Sequence, residues 1–492
     1  MERKWWTLIA VCTATFILLL DITVVNVALP EIARDLKANF TDLQWVIDAY
    51  TLTLAALLLM AGSLADQYGR RAIFATGITI FIVSSAVCGF ATSPLMLNLA
   101  RAVQGIGGGF MFATGLALIA ATFPPNQRGT ALGLWGAVTG AAVAIGPLIG
   151  GVLVDGISWQ SIFFINVPIG IFALALTFTR VDESRDPSPL PLDWAGTAVF
   201  SLGLFALIFA LIRGNPEGWS SGLIIGLLIA TAVLLLAFIP IELRAPRPMF
   251  DLTLFRKPSF VGASLAAFVL SVSIFSMFLY LALYLQNILG DSALGAGLRF
   301  LPITIVSFAV SPATGKLAER FGVRWFLAGG LVACGIGLLL MTAVSTGDKW
   351  TVLLPGFLVA GLGTGLVNPA LATAAIGVVE TRRAGMASGI NSTFRQVGIA
   401  AGIAIWGAIF EHRAVSAFEA ATGRPGNANL ILFGGTKATP AAEGAFIAGL
   451  DRILILGAIV AFVGAVLSAV LIRRRDFVAA ESADERVAVP AH

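Results

Sequence analysis

An all-α polytopic membrane protein is the fold class the sequence predicts, on three observations. The 492 residues are 58% hydrophobic and only 12% charged, with a mean hydropathy of +0.92, whereas soluble chains carry about twice that charged share. Fourteen apolar stretches are long enough to cross a bilayer at about 20 residues each. Segments of the first and last thirds repeat one another at a nearly fixed offset.

The stretches fall near 5–28, 43–62, 73–92, 95–121, 129–153, 161–179, 194–212, 220–241, 259–285, 294–314, 325–345, 350–375, 386–410 and 447–472. The first continues past an acid and lacks a small-residue cleavage site, so it reads as an uncleaved helix rather than a signal peptide. With both termini cytoplasmic, 20 of the 31 Lys and Arg lie on the inner side and 9 on the outer, with Arg101 and Arg395 inside spans. That asymmetry fits the positive-inside rule. A multi-pass location in a cell membrane is expected.

The repeat aligns Gly62-Ser-Leu-Ala-Asp-Gln-Tyr-Gly-Arg-Arg71 with Gly315-Lys-Leu-Ala-Glu-Arg-Phe-Gly-Val-Arg324, and Gly105-Ile-Gly-Gly-Gly109 with Gly361-Leu-Gly-Thr-Gly365. Two parallel six-helix bundles follow, as in rocking transporters. The expected domains are 1–180, an inserted helix pair within 181–258, a second bundle at 259–475 and a disordered cytoplasmic tail at 476–492. An outer segment near 411–446 is expected to form an ordered hairpin or flap, with disorder the competing reading. The Arg473–Arg475 run reads as a headgroup anchor.

Composition also excludes function classes. Basic residues form no stripe for nucleic acid, two histidines cannot build a histidine metal site, and Cys12, Cys88 and Cys334 all lie in apolar runs. No phosphate-binding Gly-x-x-x-x-Gly-Lys-[Ser/Thr] occurs, so no cofactor is expected and ATP is not the energy source visible in this chain.

A charge within a span is costly and marks a functional candidate. Asp21 interrupts the apolar first stretch, and Asp48 and Arg101 are expected at similar depth. Desolvation and a nearby guanidinium pull a carboxyl in opposite directions, so movement of Arg101 or water relative to Asp21 can load and unload a proton. A static Asp21–Arg101 pair is the competing reading. Asp48 with Trp45 and Tyr50 can hold a lipophilic cation by charge and cation–π attraction. Asn26, Tyr280 and Tyr284 complete the candidate substrate residues. Arg395, followed by Gln396, has no obvious acidic partner.

Small residues carry the mechanical candidates. Gly146, Pro147, Gly150 and Gly151 make the fifth stretch a closely packed, kinked helix. In the inner loop, Gly62 and Gly69 are read as turn residues, Asp66 as a partner for the start of the third helix, and Arg70 and Arg71 as a clasp reaching the other half. Gly315, Glu319 and Arg324 repeat that loop.

These motifs resemble the major facilitator superfamily, in its fourteen-span drug:proton antiporter branch. The resemblance rests on Leu20 to Pro30, Gly62 to Arg71, Arg101 with Gln104-Gly105, Gly146 to Gly151, and Trp159 with Phe163-Phe-Ile-Asn-Val-Pro-Ile-Gly170. It implies a proton-gradient-driven multidrug exporter working by alternating access. Asp21 would be its proton carrier, Arg101 its tuner, Asp66 with Arg70 and Arg71 the inner gate, and Gly146-Pro147 the antiporter element. Gln67 and Ala142 depart from the usual pattern. The expected partners are protons, a small amphipathic or cationic solute and the bilayer, and the chain is expected to be monomeric. Export or flipping of lipids or metabolites is the alternative, a membrane transferase or passive channel a more distant one.

Overall fold

The computed structural model describes residues 2–184, 193–245, 252–378, 384–427, 431, 439–473 and 476, apart from some side chains within helices, among them Asp66, Gly315 and Glu319. Every predicted stretch overlaps a helix. They are α1 (Arg3–Leu36), α2 (Phe40–Tyr68), α3 (Arg70–Gly89), α4 (Pro94–Thr122), α5 (Pro125–Gly156) and α6 (Ser161–Arg180). Next come α7 (Trp194–Glu217), α8 (Gly222–Arg244), α9 (Pro258–Ile288), α10 (Ala293–Phe321), α11 (Val323–Met341), α12 (Leu354–Gly377), α13 (Ala384–Thr422) and α14 (Pro440–Leu471). Among the described residues, twelve of these are long and apolar enough to cross a membrane; α2 and α5 are outside that twelve.

Short polar side chains start several helices where the apolar pattern begins. Ser93, Asp193, Ser221, Ser292 and Thr439 each accept a hydrogen bond from a backbone N–H of the first turn, which satisfies donors the helix leaves open. Asn39 and Asp42 form a reciprocal capping box at the start of α2. The α9 helix is interrupted twice by π turns, at Ser271–Phe275 and Tyr284–Ile288. Such turns re-aim side chains and recur at functional sites.

Helices α1–α6 pack on one another, as do α9–α14. The glycine contacts of the two groups match. Gly77 of α3 abuts the Gly107 carbonyl of α4, and Gly330 of α11 abuts the Gly363 carbonyl of α12. Backbone approach this close is what glycine permits. The α7 helix lies against α2 and α13, and α8 packs on α7 with most of its surface outward.

One end of the bundle, here the terminal end, carries residue 2 and residue 476; the other is the distal end. The two groups meet at the distal end. There α5 packs on α10 and α2 on α13. A β-carbon on Gly151 would press on the backbone of Ala293 and Leu294, and one on Gly297 would strike the Pro147 carbonyl. Asp155 of α5 caps α10, accepting from the N–H groups of Ala293 (3.1 Å) and Leu294 (2.8 Å). Gln286 of α9 donates to the Val27 carbonyl of α1 at 2.8 Å.

Three expectations about connections change. Gly62 is not a turn residue, because α2 continues to Tyr68 and the turn falls on Gly69 alone, at φ 111°. Gly315 likewise lies within α10, and Gly322, at φ 94°, makes the turn. The segment from 411 begins as helix, since α13 runs 39 residues to Thr422. Of the expected flap, residues 428–430 and 432–438 lie outside the described residues, as does the tail from 477.

Candidate functional site

Asp21, on α1, is 1% exposed and fully coordinated. Its Oδ2 accepts from Arg101 Nη1 of α4. Its Oδ1 accepts from Gln104 Nε2 and from Asn166 Nδ2 of α6, each at 3.0 Å. Ser85 of α3 ties the amides together, accepting from Gln104 at 2.7 Å and Asn166 at 3.3 Å. Arg101 is fixed in turn. Its Nε donates to the Val46 carbonyl at 2.9 Å, and its guanidinium lies 4.3 Å from the centre of the Tyr50 ring. A buried carboxylate with a guanidinium and two amide donors is solvated by protein dipoles in place of water.

Helical spacing explains this convergence. Arg101 and Gln104 are three residues apart and share one face of α4, which Gly105 and Gly108 allow to approach α2 closely: a β-carbon on Gly108 would touch the Tyr50 hydroxyl at 3.1 Å. The roles of Ser85 and Asn166 were not foreseen. Asn166 lies within the 163–170 motif, where it is a lone amide in an apolar run.

Asp48 is also completely buried, yet neither carboxyl oxygen has a hydrogen-bond partner among the described residues. It lies at the contact between the two helix groups. One turn along α2, Gln44 donates to the Ile403 carbonyl of α13 at 3.2 Å. Tyr280 of α9 donates to that same carbonyl at 2.7 Å.

The expected cation cage around Asp48 does not assemble. Trp45 packs on Phe205 and Phe209 of α7, with ring centres 6.0 and 5.9 Å away, while Tyr50 turns toward Arg101. Two residues along α2 turn Tyr50 to the opposite side from Asp48, and Trp45, three residues from Asp48 on the same side, is taken up by the α7 rings. Asn26 donates to its own helix at Ile22. Tyr280 and Tyr284 both pack into the aromatic cluster with Phe410 and Phe446.

Arg395 stacks over the Phe275 ring at 5.5 Å and forms no ion pair among the described residues. In α5, a β-carbon on Gly146 would collide with Thr23 of α1, and one on Gly150 would press on the Val24 backbone at 3.1 Å. The four small residues therefore serve a three-helix seam of α1, α5 and α10.

At the terminal end, the start of α3 is capped by a residue outside the predicted set. Glu183, just after α6, accepts from the N–H groups of Arg71 at 3.0 Å and Ala72 at 3.2 Å. The Arg71 guanidinium turns the same way, donating to the Val181 carbonyl at 3.3 Å. Arg71 thus joins two connections of its own helix group, not the opposite group as expected. The side chains of Asp66 and Glu319 lie outside those described, and Arg324 stacks on neighbouring Trp325 at 4.5 Å.

Comparison with known proteins agrees with this architecture. Over 404 residues the chain is 37% identical to the multidrug resistance protein Stp of Mycobacterium tuberculosis, covering 82% of this chain and 75% of that one. It is 36% identical over 423 residues to a probable actinorhodin transporter of Streptomyces coelicolor, covering 83% and 72%, and 36% identical over 409 residues to the puromycin resistance protein of Streptomyces alboniger, covering 82% and 81%. Among solved structures, a bacterial homologue of the lysosomal transporter Spinster in an inward-facing, unoccupied conformation superposes with a TM-score of 0.66 at 18% identity, over 96% of this chain and 98% of that one. The family model described as Major Facilitator Superfamily matches residues 11–403, and the chain belongs to that superfamily of membrane transporters, not to a class of enzymes.

Proposed function

We propose that the protein exports amphipathic or cationic small molecules in exchange for protons. The observation that carries this reading is the contrast between two buried carboxyls in one helix group. Asp21 has three donors, including a guanidinium, and is stable as an anion. Asp48 has none, and an ionised carboxylate without donors costs several kcal/mol in such a place. In this state Asp48 holds a proton.

Asp48 sits where the helix groups separate when the distal end opens. Water reaching it there allows ionisation, so loading and release follow the conformational cycle. Asp21, paired with Arg101, is the second coupling site, engaged as the same cycle moves the two relative to each other. No cofactor is needed; the proton gradient supplies the energy.

The same reading places fourteen spans, α2 and α5 included, in two six-helix bundles within 1–180 and 259–475, with the α7–α8 pair inserted at 181–258. The matching glycine contacts of α3–α4 and α11–α12 support the repeat. With the termini cytoplasmic, the distal end is external and closed, and the protein, a monomer, is inward-facing. Drug export is supported by relatives named for multidrug and puromycin resistance.

The test is efflux from proteoliposomes under an imposed pH gradient, using cationic dyes as cargo. Wild-type protein should move dye against its gradient with counterflow of protons. Asp21→Asn and Asp48→Asn should each abolish proton-driven efflux, and undiminished transport by both would overturn the coupling scheme.

A further inference from the structure

A second site lies at the distal end, in a cavity of about 850 Å³ between α7, α13 and α14. Its lining mixes charged Arg413, Arg452 and Asp451 with apolar Ala408, Ala448 and Ile455. Asp451 Oδ1 is buried and receives no hydrogen bond among the described residues. The nearby Glu411 is already engaged, accepting from Asn215 of α7 at 3.2 Å. Asn215 accepts in turn from the Trp219 indole at 2.8 Å. His412 adds an imidazole to the lining.

The cavity opens on the perimeter at the depth where apolar helix gives way to charge, and an exposed Trp219 marks that level. Below it, Ile455 begins an outward-facing row on α14 that continues through Ile459, Val463, Val466 and Val470. Those spacings of three and four residues make one stripe along the helix. A polar pocket with cations and one unanswered carboxylate, continuous with a long apolar stripe, matches a lipid carrying a phosphate and a primary ammonium.

We propose that this groove holds a phospholipid with an ethanolamine headgroup: phosphate at Arg413 and Arg452, ammonium at Asp451, and an acyl chain along the α14 stripe. The three N–H bonds of a primary ammonium can reach a recessed carboxylate that a trimethylated one cannot hydrogen-bond. The site is independent of the transport reading above and bears on how the inserted pair is seated against α13 and α14.

The experiment is native mass spectrometry of the full-length, delipidated protein, titrated with phosphatidylethanolamine and phosphatidylcholine of identical acyl chains. Wild-type protein should retain the ethanolamine lipid about tenfold better, the worth of one hydrogen bond to a charged group. Asp451→Asn should erase that preference, and Arg413→Gln with Arg452→Gln should weaken both lipids, with melting behaviour and elution volume unchanged. Equal retention of the two lipids by wild-type protein, an unaltered preference in Asp451→Asn, or equal competition by glycerophosphoethanolamine lacking acyl chains would each overturn the proposal.

Discussion

Replacing each buried carboxyl by its amide separates the two protonation states by the sign and size of the stability change. Asp21→Asn removes the anion that faces Arg101 while leaving the guanidinium 1% exposed, with the Val46 carbonyl and Gln104 Oε1 as its acceptors. Breaking a buried pair in this way costs about 3–5 kcal/mol. Asp48→Asn exchanges one neutral group for another of the same shape and breaks no hydrogen bond, since Asp48 has none, so the change should stay within about 1 kcal/mol. Were Asp48 ionised instead, its amide would relieve an unsolvated charge and raise stability by several kcal/mol. Reversible unfolding in mixed micelles, followed by helical circular dichroism near neutral pH, reads the difference. A large gain on Asp48→Asn, or equal losses in the two variants, would refute the assignment of the proton to Asp48.

Further outcomes follow from other contacts. Asn166→Leu leaves Asp21 without one donor and should lower stability by about 1–3 kcal/mol, with a shifted pH dependence of efflux in the proteoliposome assay. Glu183→Ala uncaps α3 and should cost about 1 kcal/mol in the same unfolding measurement. Gly297→Leu would drive a side chain into the Pro147 carbonyl, and thiol labelling of single cysteines in the α5–α10 seam should report a more open distal end. Burial raises the pKa of Asp291, in the α9–α10 turn, against the opposing pull of Arg299. The folded chain then binds this proton more tightly than the unfolded chain, so stability rises as pH falls through the raised value toward the ordinary carboxylate range. Wild-type protein should gain on Asp291→Asn over that interval, and parallel pH profiles would contradict it.

What was legible in the sequence was depth along each helix; what was not was rotation about it. Hydropathy located the helices and set Asp21, Asp48 and Arg101 at similar heights. It could not show that, within six residues, Trp45 packs on α7, Tyr50 turns to Arg101 and Asp48 is left without a hydrogen-bond partner among the described residues. The Gly62 and Gly315 motifs looked like turns because glycine favours them, yet only Gly69 and Gly322 adopt positive φ. Glu183 follows an apolar span by a few residues and has no local pattern; its partner is more than a hundred positions away. Arg101 with Gln104 was readable because a three-residue spacing already fixes a shared face.

Helix α13 runs 39 residues, about 58 Å at 1.5 Å per residue, close to twice the thickness of a hydrocarbon layer of about 30 Å. As a rigid rod it would act as a lever: each degree of tilt about its Ala384 base would swing the Thr422 tip by about 1 Å. Ile403, the backbone acceptor shared by Gln44 and Tyr280, lies at its midpoint. Small displacements there are doubled at the tip, so spin labels beyond Phe418 would register rocking that probes near the fulcrum scarcely feel.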